Sequence, residues 1–417
     1  MIISKTENEH NVNGQEMLVG IDVAKQTHVA RILLTDGRES KAFSFHNTRE
    51  GFESLMSWLM LNKMRFGCSS ILAGLESTGH YWEALAFFLD GENDIRLVQV
   101  NPKYVKKTKE LYDNSPGKTD SKDAGVIAML IRMGKFQRLV LPKGHFAELR
   151  CYSKLREQKV VGLGVQRNIL HSLVDPIFPE YGGILKKLES KTSLHILKNF
   201  TTPDGILIAG IKKLTFSLRT ASHGRHSHAC AERLYSAAST TIGVREGIEA
   251  AAYAIRSSVA AIENIQKDIS VIEKELLRVL QKIPYAGQLL SIPGIGPVSL
   301  AIILGEAGDL HRYKKAEELI KLAGLNLFEI SSGKHHGQRH ITKRGRPLLR
   351  KCLFFAALRT VKTGGTFRED YLRHTKTNQM HKTKALVAIS RKLLRVLFAL
   401  VRDGVQYNQK KMELLAA

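Results

Sequence analysis

The chain has 417 residues, with 63 Lys or Arg against 39 Asp or Glu, for a formal charge of +24. That length suggests about two or three domains, and a hydrophobic fraction of 43% excludes wholesale disorder. No apolar run reaches the roughly 18 residues of a membrane span, and the polar start MIISKTENEHNVNGQE lacks a signal-peptide core, so a cytoplasmic protein away from membranes is expected.

Residues 17–24 (MLVGIDVA) are a short apolar run ending in a carboxylate, which predicts a buried strand with Asp22 at its end. Residues 28–35 and 41–45, separated by the Asp36-Gly37 turn, extend it into a meander. Asn47-Thr48 caps a predicted helix reaching about Asn62, with Phe52, Leu55, Met56 and Leu59 on one face. A second apolar strand over 70–75 ends at Glu76, a helix follows over about 80–89, and the strand 95–100 leads into a basic helical stretch from Pro102. Strands alternating with helices predict an α/β sheet domain over roughly 15–135.

Residues 145–180 read as helical up to Pro176 and Pro179, and 181–245 as a mixed segment containing SHGRHSHAC. Its His223, His226 and His228 sit among Ser, Gly and Arg, which fits a polar surface better than a metal site. In 246–282, apolar residues recur at steps of three and four from Ile255 to Leu280, predicting a long coiled-coil-like helix, a core helix of a bundle being the plainer alternative. The length favours an interaction helix, such as one for oligomerisation. A helical C-terminal unit covers 283–402. The expected fold class is therefore α/β plus all-α, with 136–245 as linker and insertion. The four cysteines, Cys68, Cys151, Cys230 and Cys352, form no CxxC pair and are expected to be reduced and mostly buried.

An excess of positive charge suits a polyanionic partner, nucleic acid first, because phosphate contacts release counterions. Against that background the acids stand out. Asp22 and Glu76 each end an apolar strand, and in an α/β sheet neighbouring strand ends lie side by side. The stretch KTDSKDAG places Asp120 and Asp123 one turn apart at the start of an apolar helix. Four carboxylates in this arrangement suit two Mg2+ ions, which prefer oxygen ligands and clamp the attacking and leaving oxygens of a phosphodiester. Taken singly, each has a plainer reading as turn residue, surface acid or helix cap; together, in a chain poor in acids, the metal reading is the better one.

In the C-terminal unit, IPGIGPV (292–298) resembles a helix-hairpin-helix turn, in which Gly294 and Gly296 let backbone approach a phosphate. From Lys334 to Lys351 there are seven Lys or Arg, three His and no acid, the run that an ordinary mixed-sign surface does not show. Lys334, Arg339, Lys343, Arg344, Arg346 and Arg350 are its candidate phosphate contacts. Ser331 and Ser332 stand just before it; on residues alone either reads as a phosphate contact or turn serine, and as a nucleophile only if a base or metal activates it.

The motifs GIDVAK (20–25), LESTGHYW (75–82), NPKYVKK…KTDSKDA (101–124) and IPGIGPVSLAIILGEAGDL…AGL…SSGKHHGQRHITKRGRPLLRKCLFFAA (292–357) together resemble the DEDD transposases of bacterial insertion sequences, the bridge-RNA-guided serine recombinases. The resemblance implies a RuvC-like, RNase H-type catalytic domain over 15–135 and a transposase domain over 283–402. It implies that Asp22, Glu76, Asp120 and Asp123 bind Mg2+ and that the serine of the SG pair, Ser332 or else its neighbour Ser331, is the nucleophile. It further implies a covalent phosphoserine, double-stranded donor and target DNA, a structured guide RNA, and a dimer or tetramer with a composite site. Two other readings use the same residues: a two-metal nuclease or resolvase with water as nucleophile, and a non-catalytic nucleic-acid-binding protein.

Overall fold

The computed structural model describes residues 15–77, 79–113, 120–329, 337 and 339–409. The chain divides into two compact units, residues 1–141 and 142–417.

The first unit contains β1 (Glu16–Asp22), β2 (Thr27–Leu33), β3 (Phe43–His46), α1 (Arg49–Arg65), β4 (Ser70–Glu76), α2 (Trp82–Leu89), β5 (Ile95–Val100), α3 (Pro102–Asp113), α4 (Asp120–Arg132) and β6 (Phe136–Arg138). The strands form one mixed sheet in the order β3-β2-β1-β4-β5-β6. The hairpin strands β1, β2 and β3 pair antiparallel, β1-β4 and β4-β5 are parallel, and the three-residue edge strand β6 returns antiparallel. Three residues are too few for periodicity to mark a strand, and this one falls in the stretch expected as linker.

Period-two alternation sorts the sheet residues onto two helix layers. Met17, Val19, Ile21, Ile71, Ala73 and Leu75 pack with Phe52, Leu55 and Leu59 of α1 and Trp82, Leu85 and Leu89 of α2. Leu18, Leu72, Val98 and Val100 face the other way, onto Val126, Ile127, Leu130 and Ile131 of α4. Each buried Leu or Ile contributes about 1.5–3 kcal/mol, so both layers are needed to hold the sheet. Thr48 caps α1 as expected, its side chain accepting from the Gly51 N–H at 3.2 Å.

The second unit contains α5 (His145–Ile177), α6 (Tyr181–Ile184), α7 (Lys191–Asn199), α8 (Pro203–Ser222), α9 (His228–Thr240), α10 (Ile248–Leu280), α11 (Ala286–Leu290), α12 (Pro297–Ala307), α13 (Ala316–Leu322), the two-stranded ribbon β7 (Leu327–Phe328) and β8 (His340–Ile341), α14 (Pro347–Thr363), α15 (Gly365–Leu372) and α16 (Lys382–Asp403). The long helices α5 and α10 run antiparallel: Arg156 pairs with Glu273 and Lys159 with Asp268, both at 2.6 Å. The apolar stripe of α10 is thereby spent inside the chain. Ile255, Val259 and Ile262 share a core with α5 to α9, while Ile272, Leu276 and Val279 share another with α11 to α16. An assembly partner would meet its opposite, exposed face. Residues 181–245, unplaced from sequence, form four helices around Tyr181, whose buried hydroxyl meets Ser193 at 3.0 Å. Cys151 is exposed and the other three cysteines are partly buried, all as free thiols; the expectation of mostly buried thiols is corrected to this extent. No described helix is long and apolar enough to cross a membrane.

Candidate active site

Two strands side by side carry the same pattern, Leu-x-Gly-x-acid: Leu18-Gly20-Asp22 on β1 and Leu72-Gly74-Glu76 on β4. In the parallel register Leu18 lies beside Leu72 and Gly20 beside Gly74. The shared period puts both acids on the face covered by α4. The glycines explain how close α4 comes. A Cβ on Gly20 would lie 2.0 Å from the Ala124 carbonyl oxygen and 2.5 Å from the Ala128 nitrogen. One on Gly74 would lie 2.5 Å from Ile131 Cδ1. Helix and sheet meet backbone to backbone there, and the start of α4, with Asp120 and Asp123, is brought to the strand ends.

Asp120 is exposed at the first position of α4, and Asp123 is buried one turn on. Lys109 of α3, unnoticed in the sequence, donates from Nζ to Asp123 Oδ2 at 2.6 Å. The other oxygen, Asp123 Oδ1, is buried without a hydrogen-bond partner. Asp22 feels the whole group. Burial foremost, then the charges of Asp123 and Asp120, with a smaller push from Glu76, raise its pKa from the usual 3.8 to about 6, against the pull of Lys109. The four sequence-predicted acids therefore act on one another electrostatically. Among the described residues, no three His, Cys, Asp or Glu side chains are closed around a common point. A buried carboxylate oxygen without a hydrogen-bond partner, beside a carboxyl whose pKa is raised by burial and then by neighbouring negative charge, is what a divalent cation relieves, so the residues fit one. Helix capping explains Asp120 and Asp123 singly, but not the pressure on Asp22 from three directions.

The sign of the Asp22 shift gives a stability prediction. Its folded-state pKa lies above the unfolded value, so its ionisation destabilises the fold as pH rises from about 4 to about 6, and the penalty stays constant above. In chelator, Asp22→Asn is expected to unfold at a higher urea midpoint than the parent at pH 7, with the gap closing by pH 4. Mg2+ at pH 7 should stabilise the parent more than the variant. A gap independent of pH would contradict this environment for Asp22.

In the second unit, Ser331, Ser332 and Lys334 lie outside the described residues. The stretch 292–296 lies between the helices α11 and α12, but Gly294 serves the interior. Its φ is 90°, and a Cβ there would lie 2.7 Å from the Thr360 nitrogen of α14. Gly296, before Pro297 at the start of α12, keeps an outward face, with the Arg359 guanidinium 3.6 Å from where its Cβ would be. Arg359, exposed on α14, is a cation that the sequence reading missed.

The basic run divides in two. Lys343 and Arg344 are exposed, and so is Arg339, which pairs with Glu329 at 3.1 Å. Arg346 and Arg350 turn inward. Arg346 donates to the Glu306 carbonyl, and Arg350 to the carbonyls of Ala323 at 2.9 Å and Lys343 at 3.4 Å. Burial lowers the Arg350 pKa. These two half-exposed guanidinia tie the loop to its own unit through carbonyls, a role that a run of like charge in sequence does not reveal.

Residues 19–179 match the family model described as "Transposase" for IS110-type DEDD proteins, and residues 286–372 match "Transposase IS116/IS110/IS902 family". The two matches together cover more than half of the chain. The chain belongs to the IS110 transposase family. The transposase is 28% identical over 288 residues to the Insertion element IS116 uncharacterized 44.8 kDa protein of Streptomyces clavuligerus, covering 69% of this chain and 72% of that one. It is 22% identical over 397 residues to the Insertion element IS110 uncharacterized 43.6 kDa protein of Streptomyces coelicolor, covering 94% and 96%. A Pilin gene-inverting protein of Moraxella lacunata is 24% identical over 401 residues, covering 94% and 98%. All four acids of the transposase lie within the first family match, and Gly296, Lys343 and Arg344 within the second.

Proposed function

We propose that this insertion-sequence transposase cuts and rejoins DNA strands through a covalent phosphoserine, with Asp22, Glu76, Asp120 and Asp123 holding Mg2+ and Ser332 as the nucleophile. The observation that carries the reading is the electrostatic coupling of Asp22 to three further carboxylates from β4 and α4, beside the partnerless Asp123 Oδ1. In the proposed step the Ser332 oxygen bonds to the scissile phosphorus, the bond from phosphorus to one sugar oxygen breaks, and the serine proton ends on that leaving oxygen. The reverse sequence with a different strand end completes exchange, and no outside energy source is needed. Mg2+, when bound, supplies charge stabilisation to the phosphoryl oxygens.

The chain's own residues prepare that step. Asp22 and Glu76, fixed at strand ends, and Asp123, fixed by burial and by Lys109, form a rigid acidic seat. Lys109 limits the repulsion that the seat would otherwise store. Gly296, Arg359, Lys343 and Arg344 offer sequence-blind phosphate contacts that position DNA. Relatives named as gene-inverting proteins support rejoining, because inverting a segment requires strands to be broken and resealed. The reading also assigns target choice to a structured RNA that pairs with donor and target DNA, which suits contacts directed at phosphate rather than at bases, and a dimer or tetramer in which protomers share the site.

A nicked, trapping DNA substrate tests the nucleophile. A covalent protein–DNA adduct stable to detergent is expected from the parent and Ser331→Ala, and none from Ser332→Ala. Strand cleavage retained by Ser332→Ala without any adduct would favour water and the two-metal nuclease reading instead, and an adduct kept by Ser332→Ala but lost by Ser331→Ala would move the nucleophile to Ser331.

A further inference from the structure

Between the two family matches lies the helical insertion, and α8 there carries a surface that the carboxylate site does not explain. The helix is interrupted at Gly210, with φ of 72° and ψ of 162°. Its second half turns Leu214 and Leu218 inward, both fully buried. On the opposite face Lys212, Phe216, Arg219 and His223 recur at steps of four, three and four, all exposed. Phe216 is 72% exposed, unusual for a phenyl ring on a packed helix. With Thr215, Thr220 and Gly224 these side chains line an open groove of about 630 Å³. From Gly205 to Ala231 the sequence has no acid, but four Lys or Arg and three His, including the SHGRHSHAC segment noted at the outset. Lys213 lies aside, its ammonium 5.9 Å above the Phe200 ring.

A bare aromatic ring flanked one turn on each side by a cation, in an acid-free stretch, has the chemistry of a stacking platform in an electrostatic track. Phosphates are drawn by the cations, and a base gains contact only where its face is uncovered by pairing. A protein partner with an apolar patch would have to desolvate Lys212 and Arg219 to reach the ring, without an acid to pair them. We propose that this face of α8 binds an unpaired segment of a nucleic-acid strand, with Lys212 and Arg219 on its phosphates and Phe216 stacked on a base. The site lies in a different unit from the carboxylates and does not depend on how strands are cut.

Photo-crosslinking of the full chain in chelator, with a 5-iodouracil-substituted single-stranded 20-mer made as RNA and as DNA, tests this directly. The crosslink is expected on Phe216, within the tryptic peptide Leu214–Arg219, and the RNA and DNA arms tell which strand is preferred. Phe216→Ala should weaken single-strand affinity about fivefold to a hundredfold while leaving duplex affinity unchanged. Lys212→Glu with Arg219→Glu should abolish the crosslink; all three residues are exposed, and circular dichroism checks that the fold is kept. Crosslinks confined to other peptides, or equal losses for single strand and duplex in Phe216→Ala, would overturn the proposal. Either outcome leaves the cut-and-rejoin reading untouched, because the assay involves no cleavage.

Discussion

Asp120→Asn is expected to abolish strand cleavage, by about a thousandfold or more, while DNA affinity stays within about twofold of the parent. The asymmetry follows from where Asp120 sits. It is exposed at the first turn of α4, so no packing is lost, and Asn keeps both the size and the capping capacity of Asp. What disappears is one of the negative charges that raise the Asp22 pKa. The proposed phosphate contacts, Lys343, Arg344 and the Gly296–Arg359 corner, lie far along the chain and keep their charge. Cleavage and gel-shift assays on the same preparation separate the two. A variant that cleaves normally would reduce Asp120 to a helix cap, and one that loses binding with an intact fold would make it a binding residue.

Gly20→Ala should be among the most damaging single-methyl changes in the first unit. The added carbon would fall 2.0 Å from one backbone atom of α4 and 2.5 Å from another, and backbone cannot swing aside as a side chain can. Helix and sheet must separate, at a cost of about 3 kcal/mol, a large share of the roughly 5–15 kcal/mol that holds a typical domain. The separation also carries Asp120 and Asp123 away from Asp22, so activity should be lost even where the protein stays folded. Gly91→Ala is the control: its nearest neighbour is the Phe88 carbonyl oxygen at 3.6 Å, and its effect should stay within about 0.5 kcal/mol. Urea unfolding of both variants checks this. A Gly20→Ala protein with parental midpoint and cleavage would show that α4 does not depend on the glycine gap.

The strands were readable because their apolar runs are short, bounded by turns and ended by acids; the strand read over 95–100 is β5 itself, Ile95–Val100. The acids were readable for the same reason, since strand ends and a helix start are positions that sequence marks. The partnership of the two glycines was written in the chain as a repeated Leu-x-Gly-x-acid, but only the parallel register of β1 and β4 gives the repeat its meaning. Lys109 left no trace, because one lysine in a basic helix resembles the next until Asp123 is seen beside it. The carbonyl bonds of Arg346 and Arg350 left no trace, because backbone acceptors are invisible in a charge pattern. The period of α10 was plain, but nothing local says that its apolar stripe meets α5 rather than another molecule. Residues 181–245 resisted placement because their helices are short and broken, α8 at Gly210 in particular.

A titration of the full chain with Mn2+, as a paramagnetic substitute for Mg2+, followed by electron paramagnetic resonance, addresses the claim that the four acids share divalent cations. The expected result is two ions bound per chain with magnetic coupling between them, and loss of that coupled signal in both Asp22→Asn and Asp120→Asn. Mn2+ that stays free in the presence of the parent protein, or that binds equally well to both variants, would contradict it.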